Sequence, residues 1–424
     1  LVYVIGRHCN SEDFCSIRLE RRTPGGMFLN AVVIQEDQWF TGYNNTTPTA
    51  AALRQNKLIV VGATENTNDV GDDYRYGFLA QFDIGEPNEE PSLTGTHRES
   101  EPSAILDIAL TMGGLPVVAG FLEPKGQDTP SKRDPWAMRY KILGGFSHDS
   151  SWVANLGFSL DSGSCISEQH EDMLVSVEIL EGANKAYLFA GQTYDEATES
   201  AVSCIVQLDH SSGAPVGIKN LAAGTNAHHH VRRMSVLPKI AGEPYVALLV
   251  GSFVEEDPNG DLSGPQPLLR PVSFSVNTSG TKQNVNFITM NVENPIKLSG
   301  FPFPESAILH DACFLPYHPM VLVGSGQTTD ETGAVHVTPY YAEYDHQAGL
   351  KSVEPFVPNA LHKYAVDTND RFRACTTVIH EDDMYVMAVG DIQEQESTDG
   401  LDDSLLVNLL PQADTAIEAA CPGE

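Results

Sequence analysis

The sequence predicts an all-β chain built of seven like units within one domain, residues 1–424. Three observations carry this. A short apolar run closing on glycine recurs seven times. A second run with period-two alternation follows each copy. No stretch keeps the 3.6-residue apolar stripe of a helix.

The glycine runs are VYVIG ending at Gly6, LIVVG at Gly62, PVVAG at Gly120, YLFAG at Gly191, ALLVG at Gly251, MVLVG at Gly324 and VMAVG at Gly390. Each is rich in Val, Leu and Ile and flanked by breakers, which reads as a buried strand ended by its glycine, where the backbone kinks or packs closely. A polar, acidic loop follows, and then the second run: CSIRLE, FLAQFD, AMRYKI, CIVQLD, VSFSVN, YYAEYD and LLVNLL. Aligned, these give a mostly polar column (Arg18, Gln81, Arg139, Gln207, Ser275, Glu343, Asn408) and then an apolar one (Leu19, Phe82, Tyr140, Leu208, Val276, Tyr344, Leu409). The next column is largely charged (Glu20, Asp83, Lys141, Asp209, Asn277, Asp345) and reads as solvent-facing.

A third element precedes each glycine run. Ser103 to Asp107 and Ser306 to His310 are nearly the same words, and Thr49 to Arg54, Met173 to Ile179, Val231 to Leu237 and Phe372 to Val378 occupy the same place. A fourth, poorly patterned strand fits before it, as at Ser151 to Phe158. Four antiparallel strands per repeat make one propeller blade. The expected architecture is therefore a seven-bladed β-propeller, with blades centred near the seven glycines.

The first repeat lacks its inner strand, because Leu1 already lies in the strand reaching Gly6. The tail, residues 411–424, carries Thr415 to Cys421, which resembles the inner-strand word at Ser306 to Cys313 with one residue fewer. Two readings stand side by side. The tail supplies the missing strand and closes the ring, or it is the outer strand of the last blade. Either removes an exposed strand edge.

The repeats resemble those of the β-propeller superfamily, in the glycine-punctuated form of secreted and cell-surface proteins. The Gly-His and Trp-Asp marks of WD repeats are absent. The paired glycines (Gly25-Gly26, Gly113-Gly114, Gly144-Gly145) sit at the wrong phase for kelch repeats. The resemblance implies an architecture and carries over no catalytic residue.

Charge narrows the function. With 25 Lys+Arg against 57 Asp+Glu the formal net charge is -32, which argues against nucleic acid and anionic membrane surfaces. No apolar stretch approaches the roughly 20 residues of a membrane span. Seven cysteines stand at 9, 15, 165, 204, 313, 375 and 421. Cys9 and Cys15 flank a hairpin-like loop and are expected to be disulfide-bonded; no partners follow for Cys165, Cys204, Cys313, Cys375 and Cys421. Glycosylation sequons stand at Asn44, Asn45 and Asn277. Together these point to a secreted or cell-surface glycoprotein.

The candidate chemistry is thin. Acidic loops after each glycine run form one face if they join second to third strands, suited to a cation or a basic partner. Asp257, Asn259, Asp261 and Ser263 space oxygen ligands as a calcium loop does, against an ordinary Asn-Gly turn. His228, His229 and His230 point alternately on a strand and suit one metal poorly. Asp107, Asp172 and His310 are the catalytic candidates if the channel mouth hydrolyses glycosides, which needs two carboxylates. Channel-lining polar residues more often merely solvate a water-filled tunnel. The reading is a non-enzymatic module binding protein or glycan, self-assembly included, with no cofactor certain beyond the calcium candidate. The alternative is a propeller enzyme, glycosidase or lyase, acting on carbohydrate.

Overall fold

A computed structural model describes residues 1–9, 15–24, 27–34, 45–65, 74–85, 89–123, 133–152, 171–180, 186–195, 200–221, 227–237, 245–255, 263–278, 285–292, 306–314, 320–329, 333, 335–345, 349–355, 371–380, 383–392 and 403–409. Among these residues there is no helix. The chain is all-β, made of antiparallel meanders.

The first meander is β1 (Val2–Cys9), β2 (Cys15–Arg22) and β3 (Phe28–Ile34). The second is β4 (Asn45–Arg54), β5 (Lys57–Glu65), β6 (Arg75–Asp83) and β7 (Ser92–Arg98). One parallel bridge, Cys15 to Asn45, joins the two into a seven-stranded sheet. Four four-stranded sheets follow. They are β8 (Ser103–Leu110) to β11 (Ser147–His148) through β9 (Pro116–Leu122) and β10 (Asp134–Lys141); then β12 (Glu171–Leu180), β13 (Ala186–Asp195), β14 (Ser200–Leu208) and β15 (Pro215–Leu221). Next come β16 (Ala227–Val236), β17 (Tyr245–Glu255), β18 (Gln266–Thr278) and β19 (Val285–Val292), then β20 (Ser306–Cys313), β21 (Met320–Thr329), β22 (Val335–Asp345) and β23 (Gly349–Pro355). The last sheet is β24 (Arg371–His380), β25 (Asp383–Ile392) and β26 (Asp403–Leu409).

The glycine runs are apolar without alternation because each second strand feeds two cores. Leu58 and Val60 pack with Ile17 and Leu19 of the first meander, while Ile59 and Val61 pack with Ile105 and Val118 of the β8–β11 meander, the third. The same division recurs at Leu248 and Val250 against Ala247 and Leu249. A strand covered on both faces loses the polar half of its period. Each such Val, Leu or Ile contributes about 1.5–3 kcal/mol by burial. Val2 of β1 packs on Val378 and Met387, so the first strand and the last sheet meet.

Three expectations need correction. The glycine does not end its strand: β5 runs three residues past Gly62. It instead sits beneath the leading strand of its sheet. A Cβ on Gly120 would lie 2.0 Å from the carbonyl oxygen of Ala104, and one on Gly251 would lie 1.9 Å from that of His230. No side chain fits there. The fourth strand follows the third, as at Ser92–Arg98, rather than preceding the first; Ser151 is in a turn. The charged column is not uniformly solvent-facing, since Glu20 is buried at 4 % exposure between Arg18 and Arg22. Its ion pairs with Arg18 and Arg22 make that burial tolerable, whereas Asp83 and Lys141 of the same column stay partly exposed.

Candidate functional site

The six leading strands β4, β8, β12, β16, β20 and β24 share a bulge at the same height, opposite the repeat glycine. The register shifts fall at Pro48/Ala50, Ile105/Asp107, Leu174/Ser176, Val231/Arg233, Leu309/Asp311 and Phe372/Ala374. A bulge inserts one residue and re-aims the next. The residues just past it, Ala50, Asp107, Ser176, Arg233, Asp311 and Ala374, therefore occupy equivalent places.

The polar members are bonded to one another. Asp107 is fully buried. Its Oδ2 accepts from the Ser176 hydroxyl at 2.8 Å and from the Val177 N–H at 2.9 Å. Its Oδ1 accepts from the Ile108 N–H at 2.9 Å and from the Arg233 guanidinium. Asp311 repeats the pattern one sheet from the end: Oδ1 accepts from the Ala312 N–H at 2.8 Å and Oδ2 from the Cys375 N–H at 3.1 Å. Arg233 Nε lies 3.8 Å from Asp311. Each aspartate thus accepts from the next N–H of its own bulged strand and ties that strand to the next sheet.

Electrostatics follow from burial around one cation. The Asp107 carboxylate holds Arg233 charged well above the ordinary guanidinium range, against the pull of burial and with Asp311 assisting. Burial pushes the Asp311 carboxyl up, with Arg233 opposing. Burial also pushes Glu178 up to about 8; Arg233 opposes this, and Asp107 and Asp311 add to it. Glu178 lies on β12 two residues past Ser176 and is a neutral acid at neutral pH. Sequence reasoning missed it, although counting by two from Ser176 along the recognised strand reaches it.

Beside this cluster lies a cavity of about 600 Å³. Its walls are the free edge of β1 with β4, β24 and β25, including Val4, Ala50, Ala374 and Val389, and Arg233 and Asp311 reach it. It stands where the first meander has no leading strand, since β1 pairs only with β2 among the described residues.

The other expected sites scatter. Asp172 lies four residues before Ser176, opposite Thr193 and 1 % exposed, away from the ring position of Asp107. His310 is the extra residue of the β20 bulge, and its Nε2 meets the Ser325 hydroxyl at 3.2 Å. His229 and His230 diverge, towards Arg270 and Gln192. Burial, then Arg270 and the flanking histidines, lower His229 to about 4. Asp257, Asn259 and Asp261 lie outside the described residues. Ser263 closes the β17–β18 hairpin, accepting from the Glu255 N–H at 2.9 Å. The acidic loops do join second to third strands, as from Glu65 to Arg75 and from Glu255 to Gln266.

Cys9 and Cys15 are register partners across the β1–β2 hairpin, and Cys15 is disulfide-bonded, as is Cys204. A further disulfide, Cys313–Cys375, staples β20 to β24. Cys165 and Cys421 lie outside the described residues, as does Asn44. Asn45 begins β4, and its side-chain amide accepts from Arg7 at 2.7 Å and donates to Glu65 at 2.9 Å. Asn277 stands opposite Asn286 beside a bulge of β18. Among the described residues no helix is long and apolar enough to cross a membrane.

No known protein family and no curated protein matches the chain. Among solved structures it is similar to a sialidase of Trypanosoma rangeli in complex with sialic acid, at 7% identity and a TM-score of 0.40, over 91% of this chain and 56% of that one. The chain thus spans little more than half of the sialidase's length. It is similar to a glycosyl hydrolase from Bacteroides ovatus at 13% identity and a TM-score of 0.32, over 91% and 88% of the two chains. It is similar also to an exo-1,5-alpha-L-arabinanase from a bovine ruminal metagenomic library, at 10% identity and a TM-score of 0.30, over 69% and 92%. Likenesses this distant carry no argument about chemistry.

Proposed function

We propose that the chain is a seven-bladed β-propeller, closed by its own tail, which works outside the cell as a binding module for protein or glycan. The carrying observation is the use made of the central polar residues. Asp107 and Asp311, which a hydrolase would leave open to substrate, are spent on backbone N–H groups, Ser176 and Arg233 that hold neighbouring sheets together. Disulfides persist in oxidising compartments, and Cys313–Cys375 supports a secreted protein. The acidic loops, all at the same junction of their sheets, suit a basic partner.

Closure rests on Gly6. The glycines of the second, third, fifth and sixth repeats lie beneath a strand carbonyl that excludes any Cβ, whereas nothing lies within 4 Å of a Cβ on Gly6. Val2 to Ile5, just before Gly6, line the cavity beside β1. A strand laid there would complete the first blade, and residues 415–421 resemble the strand needed. Deleting residues 411–424 is expected to lower the melting temperature markedly; an unchanged melting temperature would refute closure by the tail.

Glu178 favours a second reading, an enzyme acting on carbohydrate. A carboxylic acid kept neutral near pH 7 is the proton donor that glycoside hydrolysis requires, and Asp311 would be the second carboxyl. The solved structures named above share only this reading's chemistry, at scores too low to carry it. Panels of fluorogenic glycosides and polysaccharides, run beside glycan arrays and low-salt co-purification, separate the two. Turnover abolished by Glu178→Gln supports the enzyme. Binding without turnover supports the module.

A further inference from the structure

Far along the sheets from the central ring, three side chains converge at the outer edge between the second and third sheets. His97 is the penultimate residue of β7, and Glu99 follows two residues on, so both fall on one side of the chain. The backbone N–H of Glu99 bonds to the carbonyl of Gly77, which fixes its place. His148 belongs to the two-residue strand β11 and stands opposite Tyr140 of β10. The Nε2 of His97 lies 3.0 Å from Glu99 Oε1, and the Nε2 of His148 lies 3.0 Å from each carboxylate oxygen. The Tyr140 hydroxyl donates to Oε1. The two imidazole centroids are 5.5 Å apart, and Tyr140, itself edge-on to Phe146, packs against both.

We propose that His97, Glu99 and His148 form a binding site for a zinc-class transition metal ion, clamping the second sheet to the third. One atom from each residue lies within 4.8 Å of the others, as three ligands of one ion must. Two imidazoles and one carboxylate suit Zn²⁺, Ni²⁺ or Cu²⁺ and not Ca²⁺ or Mg²⁺, which take oxygen. In a tetrahedron with bonds of about 2.0–2.1 Å the ligand atoms stand about 3.3 Å apart, so the two His–Glu separations of 3.0 Å need little change, and the imidazole nitrogens, within 4.8 Å of each other, close on the ion. Tyr140 supplies the outer partner that orients a ligating carboxylate. The Glu99 side chain is 6% exposed and that of His148 44%, so the carboxylate is shielded while one side stays open for water as a fourth ligand.

The competing occupant is a proton on each imidazole, giving a hydrogen-bonded cluster and no metal. The test strips the full chain with a chelator and then titrates it with Zn²⁺, reading bound metal per chain, and with Co²⁺, reading the visible bands of a four-coordinate site. Because His228, His229 and His230 offer a second source of imidazole, the site is read as the difference between wild type and variants. We expect one additional equivalent in wild type, tight enough to raise the melting temperature by mass action. His148→Ala removes a half-exposed side chain and leaves the fold intact; it is expected to weaken binding at least about tenfold and abolish the four-coordinate cobalt spectrum. His97→Ala is expected to do the same. Wild type that takes up no ion, or wild type and His148→Ala that bind alike, would overturn the proposal. Neither outcome bears on the binding-module reading, which does not involve this edge.

Discussion

Arg233 reaches Asp107 from 126 residues away, across the strand that carries Ser176, so three consecutive sheets are joined through one carboxylate. Asp107 is fully buried, and one partner of this pair cannot be lost without leaving the other's charge uncompensated. Arg233→Met is expected to destabilise by about 3 kcal/mol, the low end for a broken buried pair because Ser176 and two N–H groups remain. Asp107→Asn should cost less, and a double-mutant cycle by urea unfolding should show strong coupling between the two positions. Additive effects would mean that the pair does not join the sheets.

Gly120→Ala and Gly251→Ala force a Cβ against a strand carbonyl. Each is expected to destabilise by about 1–3 kcal/mol or more, since backbone on both sides must shift. Gly6→Ala separates the two states of the first blade. It is harmless if the space around Gly6 stays open, and as damaging as the others if a strand lies against it. Closure by the tail predicts damage. Melting curves of the three variants decide it.

Glu178 should make stability fall as pH rises. Burial holds its pKa at about 8 in the folded chain against the ordinary 4.5, so the folded state holds a proton that the unfolded state releases between these values. Its contribution is full below about pH 4.5 and is lost as pH passes through about 8. Glu178→Gln should remove this slope, leaving the variant progressively more stable than wild type from pH 5 to about 8. Parallel curves for the two proteins would show that Glu178 ionises normally.

Reducing the Cys313–Cys375 bond opens a loop spanning a sequence separation of 62. In the chain-entropy account its removal by paired Cys→Ser substitutions costs about 4 kcal/mol. The loss should appear as a lower denaturant midpoint, with a steeper slope because the unfolded chain without the crosslink is less compact.

Peptide mapping of unreduced native material should find Cys9 linked to Cys15, its register partner. Glycosidase treatment should lower the mass through Asn277. At Asn45 a glycan would displace the contact with Glu65, so Asn44 is the better acceptor of that overlapping pair. Free Cys9 together with an unchanged mass would count against secretion.

Much of the scaffold was legible in the sequence. The seven glycine runs and the strands after them recur in the structure, because strand periodicity and a glycine's lack of Cβ are local properties. The central site was not. Asp107 looked like a catalytic carboxylate because its word, Ser103 to Asp107, shows a charge on a strand and nothing of what meets it. Glu178 sat unremarked in a recognised strand, since its raised pKa comes from burial beside Arg233, Asp107 and Asp311, which belong to other sheets.

The sequence by itself determined that this is an all-β repeat with strands buried on both faces, because the order of apolar and polar residues along one strand already states how many of its faces are covered. Only the tertiary structure decided which charges meet. Asp107 with Arg233, Cys313 with Cys375, and His97 and Glu99 with His148 are pairings between strands far apart in the chain. Their partners are set by how bulged strands of successive sheets come to lie side by side, a distance of a few ångströms that no local pattern encodes.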